Sequence, residues 1–267
     1  MPQTTPAVLP IVCMAFSEGH GDMTELYVER LSGMLRRHVR RPYQLYCYTD
    51  RDCRLPAGVV RRDCSGWTEL ERKGMRATTR KLGLFNPDYV EFDEFLYLDL
   101  SLVIRRDMGD LLDYAFGRAE DLVIVPHWYH ACYNSSVMRI RSGPLRAVYD
   151  RFVAGDSFVQ RVPGDQDFVH GVVGKLGLGE RVALFPAHQV VSFKKTMKAG
   201  RHDAEGGRER IASATIVKFH GQPKMDEAFG HRYGLLKVRL RELLRGHWKP
   251  VMPLAELRRH WTGEAAR

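Results

Sequence analysis

The segment Tyr97-Leu-Asp99-Leu-Ser101 places a carboxylate and a hydroxyl two residues apart in an apolar run. Successive side chains of a strand alternate between its two faces, so Asp99 and Ser101 are expected to point the same way. A charged aspartate in such a strand is costly unless it is paired or binds a cation. Two interpretations stay open: Asp99 caps the following turn, or it forms part of a ligand or metal site.

Three further polar segments follow along the chain. Asn134–Met138 opens with an amide and two hydroxyls, which are suited to sugar hydroxyls. Gly164–Asp167 places two carboxylates and an amide at the start of a predicted helix, where they could cap the helix or bind a sugar. Lys218–Lys224 carries an imidazole, a glycine and a lysine at the end of a predicted strand. Each segment alone is also compatible with a purely structural role.

An alternation of strands and helices must position these residues. It predicts an α/β sheet with ligands at the carboxyl ends of its strands. A charged stretch without apolar periodicity, Lys194–Ser213, is predicted to be a mobile loop. The predicted strands are Leu9–Phe16, Tyr43–Tyr48, Phe95–Ser101, Leu122–Val125, Tyr133–Arg139 and Thr215–Phe219, and the predicted helices are Thr24–Arg37, Arg72–Phe85, Pro144–Ala154 and Asp165–Leu176.

In this order the segments resemble bacterial GT-A glycosyltransferases related to family 8. Those proteins read YLDLD, then an Asn-containing NSG or NSS strand, then DQD, then HFxGxPKP. The counterparts here are Tyr97–Ser101, Asn134–Met138, Asp165–Asp167 and His220–Lys224, preceded by CYTD at Cys47–Asp50 and KLGLF at Lys81–Phe85.

The resemblance covers about residues 8 to 226 and implies a single GT-A-type, Rossmann-like domain with a mixed central sheet. It divides that domain into a nucleotide-binding half, residues 8–105, and an acceptor or sugar half, residues 106–226. Residues 227–267 would form a basic helical extension. The implied activity is transfer of a sugar from a nucleotide-sugar donor, with UDP as the expected nucleotide, to a glycan or lipid-linked acceptor. By analogy with the family, the anomeric configuration is retained.

The resemblance also implies roles for individual residues. Asp165 and Gln166 would lie nearest the reacting carbon and, with Asn134, contact the transferred sugar. A divalent metal, Mn²⁺ or Mg²⁺, would bridge the diphosphate and be held by Asp99, Ser101 and His220. The donor-binding residues would be Phe16, Tyr27, Thr49 and Asp50 at the nucleoside, Lys81 at the ribose or phosphate, and Lys224 at the leaving diphosphate. Gly221, Asp99 and Ser101 would also belong to the donor site.

One departure from the family pattern affects the metal. Ser101 stands where the second Asp of the DxD motif is expected. A hydroxyl can ligate a hard cation, but the site loses one negative charge and should bind metal more weakly. The metal could be weakly bound, arrive with the nucleotide, or be dispensable. The same departure keeps open a catalytically silent module that only binds nucleotide or sugar.

A second departure is Met225, where the family often has Pro.

Composition narrows the remaining classes. The 267 residues contain five cysteines, an odd number, without a CxxC pair, which argues against a disulfide framework or a zinc site. The first residues lack a basic segment, and the apolar run Ile11–Phe16 is too short for a signal or spanning helix. We therefore expect a cytoplasmic protein that meets a membrane at most peripherally.

The net charge of +9 is concentrated near the C-terminus, where Arg232–Arg267 holds nine Lys and Arg against three Glu, a net of +6. Tyr233–His247 has helical spacing, with leucines on one face and Lys237, Arg241 and Arg245 in a row on another. This row could be a solvated face or could dock on anionic lipid or a lipid-linked acceptor. Nucleic acid is not expected as a partner, because no RNP, helix-turn-helix or zinc-finger pattern is present.

Overall fold

The computed structural model describes residues 8–16, 23–157, 164–199, 203–221, 224–229 and 254–264. The strands are β1 (Leu9–Ala15), β2 (Tyr43–Thr49), β3 (Val59–Asp63), β4 (Glu94–Leu98), β5 (Leu102–Ile104), β6 (Leu122–Pro126), β7 (Tyr133–Arg141), β8 (Val182–Leu184), β9 (Val190–Ser192) and β10 (Ile216–Lys218). The α-helices are α1 (Met23–His38), α2 (Gly109–Gly117), α3 (Ala147–Val153), α4 (Asp165–Lys175), α5 (Phe193–Ala199), α6 (Ala204–Ser213), α7 (Met225–Phe229) and α8 (Leu254–Thr262), and short 3-10 helices cover Thr68–Leu70, Ala77–Phe85 and Gly179–Arg181.

Seven strands form a central sheet in the order β3-β2-β1-β4-β7-β6-β8. All neighbours pair in parallel except at β7, which is antiparallel to both β4 and β6. The sheet is therefore mixed, and the expected α/β fold class is confirmed. Because β7 runs the opposite way, its first residues lie at the same edge of the sheet as the carboxyl ends of β1, β2 and β4.

Alternation along β1 divides the core between the two faces of this sheet. Ile11 and Cys13 pack on the face covered by α1, α8 and a second, smaller sheet. Val12 and Met14 pack on the opposite face, beside α3, α4 and the 3-10 helix Ala77–Phe85. Both faces are covered, which is why the central strands are almost continuously apolar.

The smaller sheet has the order β5-β10-β9, with β10 antiparallel to β5 and parallel to β9. The predicted strand Phe95–Ser101 is wrong in its last part, because β4 ends at Leu98 and the chain crosses to the smaller sheet. In the crossing, the Asp99 amide donates to the Ser136 carbonyl at 2.9 Å, and the Phe219 amide donates to the Ser101 carbonyl at 3.0 Å. The end of β10 is thereby joined to the Asp99–Ser101 crossing.

The predicted mobile loop at Lys194–Ser213 is also wrong, since α5 and α6 account for its described residues. Helix α6 starts at a local signal, because the Asp203 carboxylate accepts from the Gly206 amide at 2.9 Å. The Ile211 side chain of α6 is fully buried, so one apolar residue packs this otherwise charged helix against the core. The predicted helix Arg72–Phe85 is a 3-10 helix restricted to Ala77–Phe85.

The C-terminal part of the chain returns to its N-terminal part. Helix α8 buries Leu257 and Trp261 against α1, where the rings of Trp261 and Tyr27 lie 5.7 Å apart. The predicted basic helix Tyr233–His247 lies outside the described residues, and the predicted boundaries of the domain and its halves stay predictions. None of the helices in the described ranges is long and apolar enough to cross a membrane.

Candidate functional site

Asp99 lies between two buried lysines. Its Oδ1 is 2.7 Å from Lys81 Nζ, and its Oδ2 is 2.5 Å from Lys218 Nζ. The Tyr97 hydroxyl also donates to Asp99 Oδ1, at 2.8 Å. Lys218 Nζ donates in addition to Ser101 Oγ, so both groups of the crossing face the same ammonium. The sequence prediction that Asp99 must be paired or bind a cation is met by ion pairs within the chain.

Three separate elements bring these charges together. Asp99 follows the carboxyl end of β4, Lys81 lies in the 3-10 helix Ala77–Phe85, and Lys218 is the last residue of β10. Both lysines are more than nine-tenths buried. Lys218 is held by its strand, because it pairs in register with Leu102 of β5 and Ser192 of β9.

A second group of polar side chains adjoins Lys81. Lys81 Nζ lies 3.7 Å from Asp165 Oδ2 and donates to Ser135 Oγ at 3.3 Å. Asp165 is the first residue of α4 and is 4% exposed, yet its Oδ2 accepts no hydrogen bond from any residue that the structure describes. The Asn134 amide donates to Gln166 Oε1 at 3.2 Å. The three predicted sugar-contacting residues, Asn134, Asp165 and Gln166, are therefore brought together beside Lys81.

The charges of this cluster balance: the carboxylates of Asp99 and Asp165 stand against the ammonium groups of Lys81 and Lys218. Burial opposes ionisation of Asp99, but the neighbouring ammonium groups of Lys218 and Lys81 outweigh it and hold the pKa of the Asp99 carboxyl below its usual range. Burial would lower the pKa of Lys81, but Asp165 and Asp99 raise it. Burial lowers the pKa of Lys218, and the charges of Lys81 and Lys224 lower it further, against the opposing effect of Asp99.

The predicted nucleoside residues lie at the ends of the neighbouring strands. Phe16 follows β1, Thr49 ends β2, and Asp50 follows it. The guanidinium of Arg80 lies 5.4 Å from the centre of the Phe16 ring and forms an ion pair with Asp50. Thr49 is fully buried, and its Oγ1 accepts from the Arg51 amide at 3.2 Å.

The ring contact and the hydrogen bond that the structure describes for Tyr27 do not involve the residues at the carboxyl ends of β1 and β2. Its ring is buried on α1 against Trp261, and its hydroxyl donates to Asp226 at 2.6 Å.

Gly221 adopts φ of 68°, which favours glycine, beside the ammonium of Lys194. Lys224 precedes α7 and is half-buried, and its charge is close enough to lower the pKa of Lys218.

The three predicted metal ligands do not fit a divalent metal. Ser101 Oγ and Asp99 Oδ2 already contact Lys218, and a metal at Asp99 would have to displace an ammonium group. His220 Nε2 lies 2.7 Å from Ser192 Oγ, and its ring stacks on Trp128 at 5.6 Å. Across the described ranges, no group of three or more His, Cys, Asp or Glu residues could hold a metal ion.

The assignment of His220 is also corrected by spacing. In the pattern HFxGxPKP, the glycine stands three residues after the histidine and the lysine six residues after it. Counted back from Gly221 and Lys224, the histidine position is Lys218, not His220. The residue at the expected metal-ligand position is therefore a lysine.

Two site residues were missed by the sequence analysis. A charged residue in an apolar strand is costly unless paired, and this rule applies to Lys218 in Ile216–Phe219 as it does to Asp99. Arg80 stands next to Lys81, but its contacts with Phe16 and Asp50 depend on residues 30 or more positions away. No signal in the sequence distinguishes it from other arginines.

No protein-family model matches the sequence, and a sequence comparison finds no match among curated proteins. Solved structures are similar in fold. The glycosyltransferase GlyE of Streptococcus pneumoniae TIGR4 has a TM-score of 0.57 at 16% identity, covering 96% of this chain and 63% of that chain. The galactosyltransferase LgtC, solved with donor and acceptor sugar analogs, has a TM-score of 0.55 at 14% identity, covering 90% and 97%. Mouse xyloside xylosyltransferase 1 has a TM-score of 0.53 at 14% identity, covering 82% and 99%.

These neighbours share the GT-A glycosyltransferase fold, so the expected fold is confirmed. The chain spans less than two thirds of GlyE and 48% of the bifunctional glycosyltransferase WbbM, but nearly all of LgtC. Identities this low show the fold and leave the relation to family 8 a prediction.

Proposed function

We propose that the chain is a glycosyltransferase that moves a sugar from a nucleotide-sugar donor, with UDP as the nucleotide, to a glycan or lipid-linked acceptor. One observation carries the proposal: buried Lys81 and Lys218 share the Asp99 carboxylate at the carboxyl edge of the sheet, and Lys81 adjoins the polar group Asn134, Asp165 and Gln166. Phosphate and sugar recognition need these two kinds of group side by side. In open α/β sheets, this edge is where ligands bind.

The nucleoside would bind where β1 and β2 end. Phe16 offers an aromatic ring, and the Arg80 guanidinium beside it is oriented by Asp50. A base can stack on such a ring or on the guanidinium plane, and a carboxylate can accept from ribose hydroxyls. Tyr27 is left out of this proposal because its hydroxyl is bound to Asp226.

The diphosphate would bind at the lysines. When the bond between the anomeric carbon and the phosphate oxygen breaks, its electron pair stays on the diphosphate, which gains negative charge. The ammonium groups of Lys81, Lys218 and Lys224 stabilise this charge where it develops. The acceptor hydroxyl forms the new bond to the anomeric carbon, and its proton passes to the oxygen of the leaving diphosphate that gained the electron pair.

The transferred sugar would bind at the polar group. Asp165 Oδ2 is buried without a hydrogen-bond donor among the described residues, and a sugar hydroxyl would supply one. Asn134 and Gln166, already bonded to each other, offer further donors and acceptors. We propose that Asp165 and Gln166 lie nearest the reacting carbon and that the configuration is retained.

The proposal is tested by donor turnover with a panel of nucleotide sugars. Asp165→Asn and Gln166→Ala should each lower turnover by about 100-fold or more, because they contact the reacting sugar. Asp156→Asn is the matched control, since it makes the same chemical change at a carboxylate whose partners, Lys175 and Arg151, are exposed and lie outside the cluster. Nucleotide binding without turnover of any donor would indicate the silent module instead. Equal losses in all three variants would contradict the assigned roles.

We also propose that the basic segment Tyr233–His247 docks the enzyme on anionic lipid near a lipid-linked acceptor, at the inner face of the membrane. Its support is the row of Lys237, Arg241 and Arg245 four residues apart. Sedimentation with anionic vesicles should exceed that with neutral vesicles and should fall when the three basic residues are replaced by Gln. Equal sedimentation with both vesicle types would contradict the proposal.

A further inference from the structure

We propose that the ammonium of Lys218 takes the place of a divalent cation at the donor diphosphate, so that nucleotide binding and sugar transfer need no metal. The inference rests on the proposed function and names the group that replaces the metal expected for this fold.

The position of the ammonium is the first argument. Lys218 Nζ lies 2.5 Å from Asp99 Oδ2 and donates to Ser101 Oγ. These are the two groups that the sequence resemblance assigns to metal coordination. A cation of the chain itself thus bridges both of them.

The charge balance is the second argument. Two carboxylates, Asp99 and Asp165, already face two ammonium groups, Lys81 and Lys218. A divalent ion added to these four groups would give them a net charge of +2, whereas a carboxylate in place of Ser101 would reduce that to +1. The ion would therefore have to displace an ammonium group. Hard divalent cations are held by several anionic or carbonyl oxygens, which this set does not provide. The site therefore lacks one carboxylate, at Ser101, and gains one ammonium, at Lys218. Both changes lower its affinity for a divalent cation.

The hydrogen-bonding capacity of the ammonium is the third argument. A lysine has three N–H donors. Two are directed at Asp99 and Ser101, which leaves the third, among the contacts that the structure describes, for a phosphate oxygen. The β10 backbone pairs with β5 and β9, so the charge is held in place before the donor arrives. A fixed charge of this kind needs no reorganisation as the leaving group becomes more negative.

The first experiment measures UDP affinity by calorimetry and donor turnover, each in EDTA and in excess Mn²⁺. We expect the two conditions to agree within about twofold for the unaltered chain. Lys218→Gln should weaken UDP binding by about 100-fold or more in both conditions, which corresponds to about 2.7 kcal/mol. Lys175→Gln is the matched control, because Lys175 is an exposed lysine at the far end of α4. Melting temperatures without ligand establish that both variants are folded.

The outcomes separate the two proposals. UDP binding that requires Mn²⁺, or that is unchanged in folded Lys218→Gln, would overturn the role of Lys218 and leave the proposed transferase intact. Donor turnover without any metal that is lost in Lys218→Gln would support both. A lack of UDP binding in both conditions would overturn the proposed function and the inference with it.

A second variant converts the site and does not depend on catalysis. Ser101→Asp combined with Lys218→His supplies a second carboxylate and an imidazole around Asp99 while removing the ammonium. We expect Mn²⁺ binding, followed by the paramagnetic signal of free Mn²⁺, to tighten by about 100-fold or more over the unaltered chain. Tight Mn²⁺ binding by the unaltered chain itself would contradict the inference.

Discussion

Replacing Asp99 by Asn tests whether the charge cluster is as buried as the structure indicates. The substitution keeps the shape of the side chain and removes one negative charge. Lys218 then loses its only carboxylate partner among the described contacts, and Lys81 keeps only Asp165, at 3.7 Å. Two ammonium groups that are less than one-tenth exposed become largely uncompensated.

The expected loss follows from the distances and the burial. At an effective dielectric constant of about 20, opposite charges 2.7 Å apart attract by about 6 kcal/mol, and the Asp99 carboxylate has two such partners. Most of this attraction offsets the cost of removing the charges from water. Removing one partner of a buried ion pair destabilises a protein by about 3–5 kcal/mol, because the other charge stays buried without compensation. The free energy of unfolding of Asp99→Asn should fall by this amount.

Urea unfolding of the ligand-free protein at pH 7 measures this loss, and Asp156→Asn is the control. Asp156 also faces two cations, Lys175 at 3.3 Å and Arg151 at 3.5 Å, and its exposed fraction, 22%, is close to the 18% of Asp99. Its partners, however, are 53% and 44% exposed, so Asp156→Asn should cost at most about 1 kcal/mol. If the two variants unfold at the same urea concentration, with equal slopes, the argument from buried partners is wrong.

Three further predictions concern stability away from the site. Burial, with the charges of His260 and Arg37, lowers the pKa of His38 to about 4. Because the unfolded chain binds this proton at a higher pH than the folded chain, the free energy of unfolding should fall as the pH drops from about 6.5 to about 4. The loss should be about 1–2 kcal/mol after allowance for the partial exposure of the ring. In His38→Gln, urea titrations should show a smaller loss over that range, and an unchanged loss would refute the assignment. Gly83→Ala should destabilise by about 1–3 kcal/mol, because its Cβ would lie 2.6 Å from the Trp67 ring; a melting temperature equal to that of the unaltered chain would contradict this close approach. Arg139→Met should lower the melting temperature by about 10 °C, because the fully buried guanidinium donates to three backbone carbonyls that would lose their partner, and a change below 2 °C would show that water replaces it.

Much of the candidate site could be predicted from sequence because it depends on local pattern. Apolar strands with Phe16, Asp50 and Asp99 at or near their carboxyl ends indicate a sheet whose polar edge carries those residues, although the predicted strand through Asp99 is three residues too long. The cost of a buried charge predicts that Asp99 has a cationic partner. The same rule, applied to Lys218, would have predicted that the partner is an ammonium.

The remainder depends on which distant segments meet, and local pattern does not contain that information. The contact between Tyr27 and Asp226 spans 199 positions, and no local pattern around Tyr27 predicts it. Helices α5 and α6 have little apolar periodicity of their own, so their formation depends on the cover that tertiary packing gives to Phe193 and Ile211. The local sequence pattern of such helices therefore predicts loops.

The docking of α8 on α1 has a consequence for how the protein is made. Trp261 and Leu257 complete the packing around Tyr27, and the Trp261 ring also lies 5.5 Å from the Arg30 guanidinium. A ribosome synthesises the chain from its N-terminus, so α1 emerges more than 200 residues before the helix that covers it. During translation that face of α1 stays uncovered until α8 has been synthesised, so this part of the core cannot close while the intervening residues are being made.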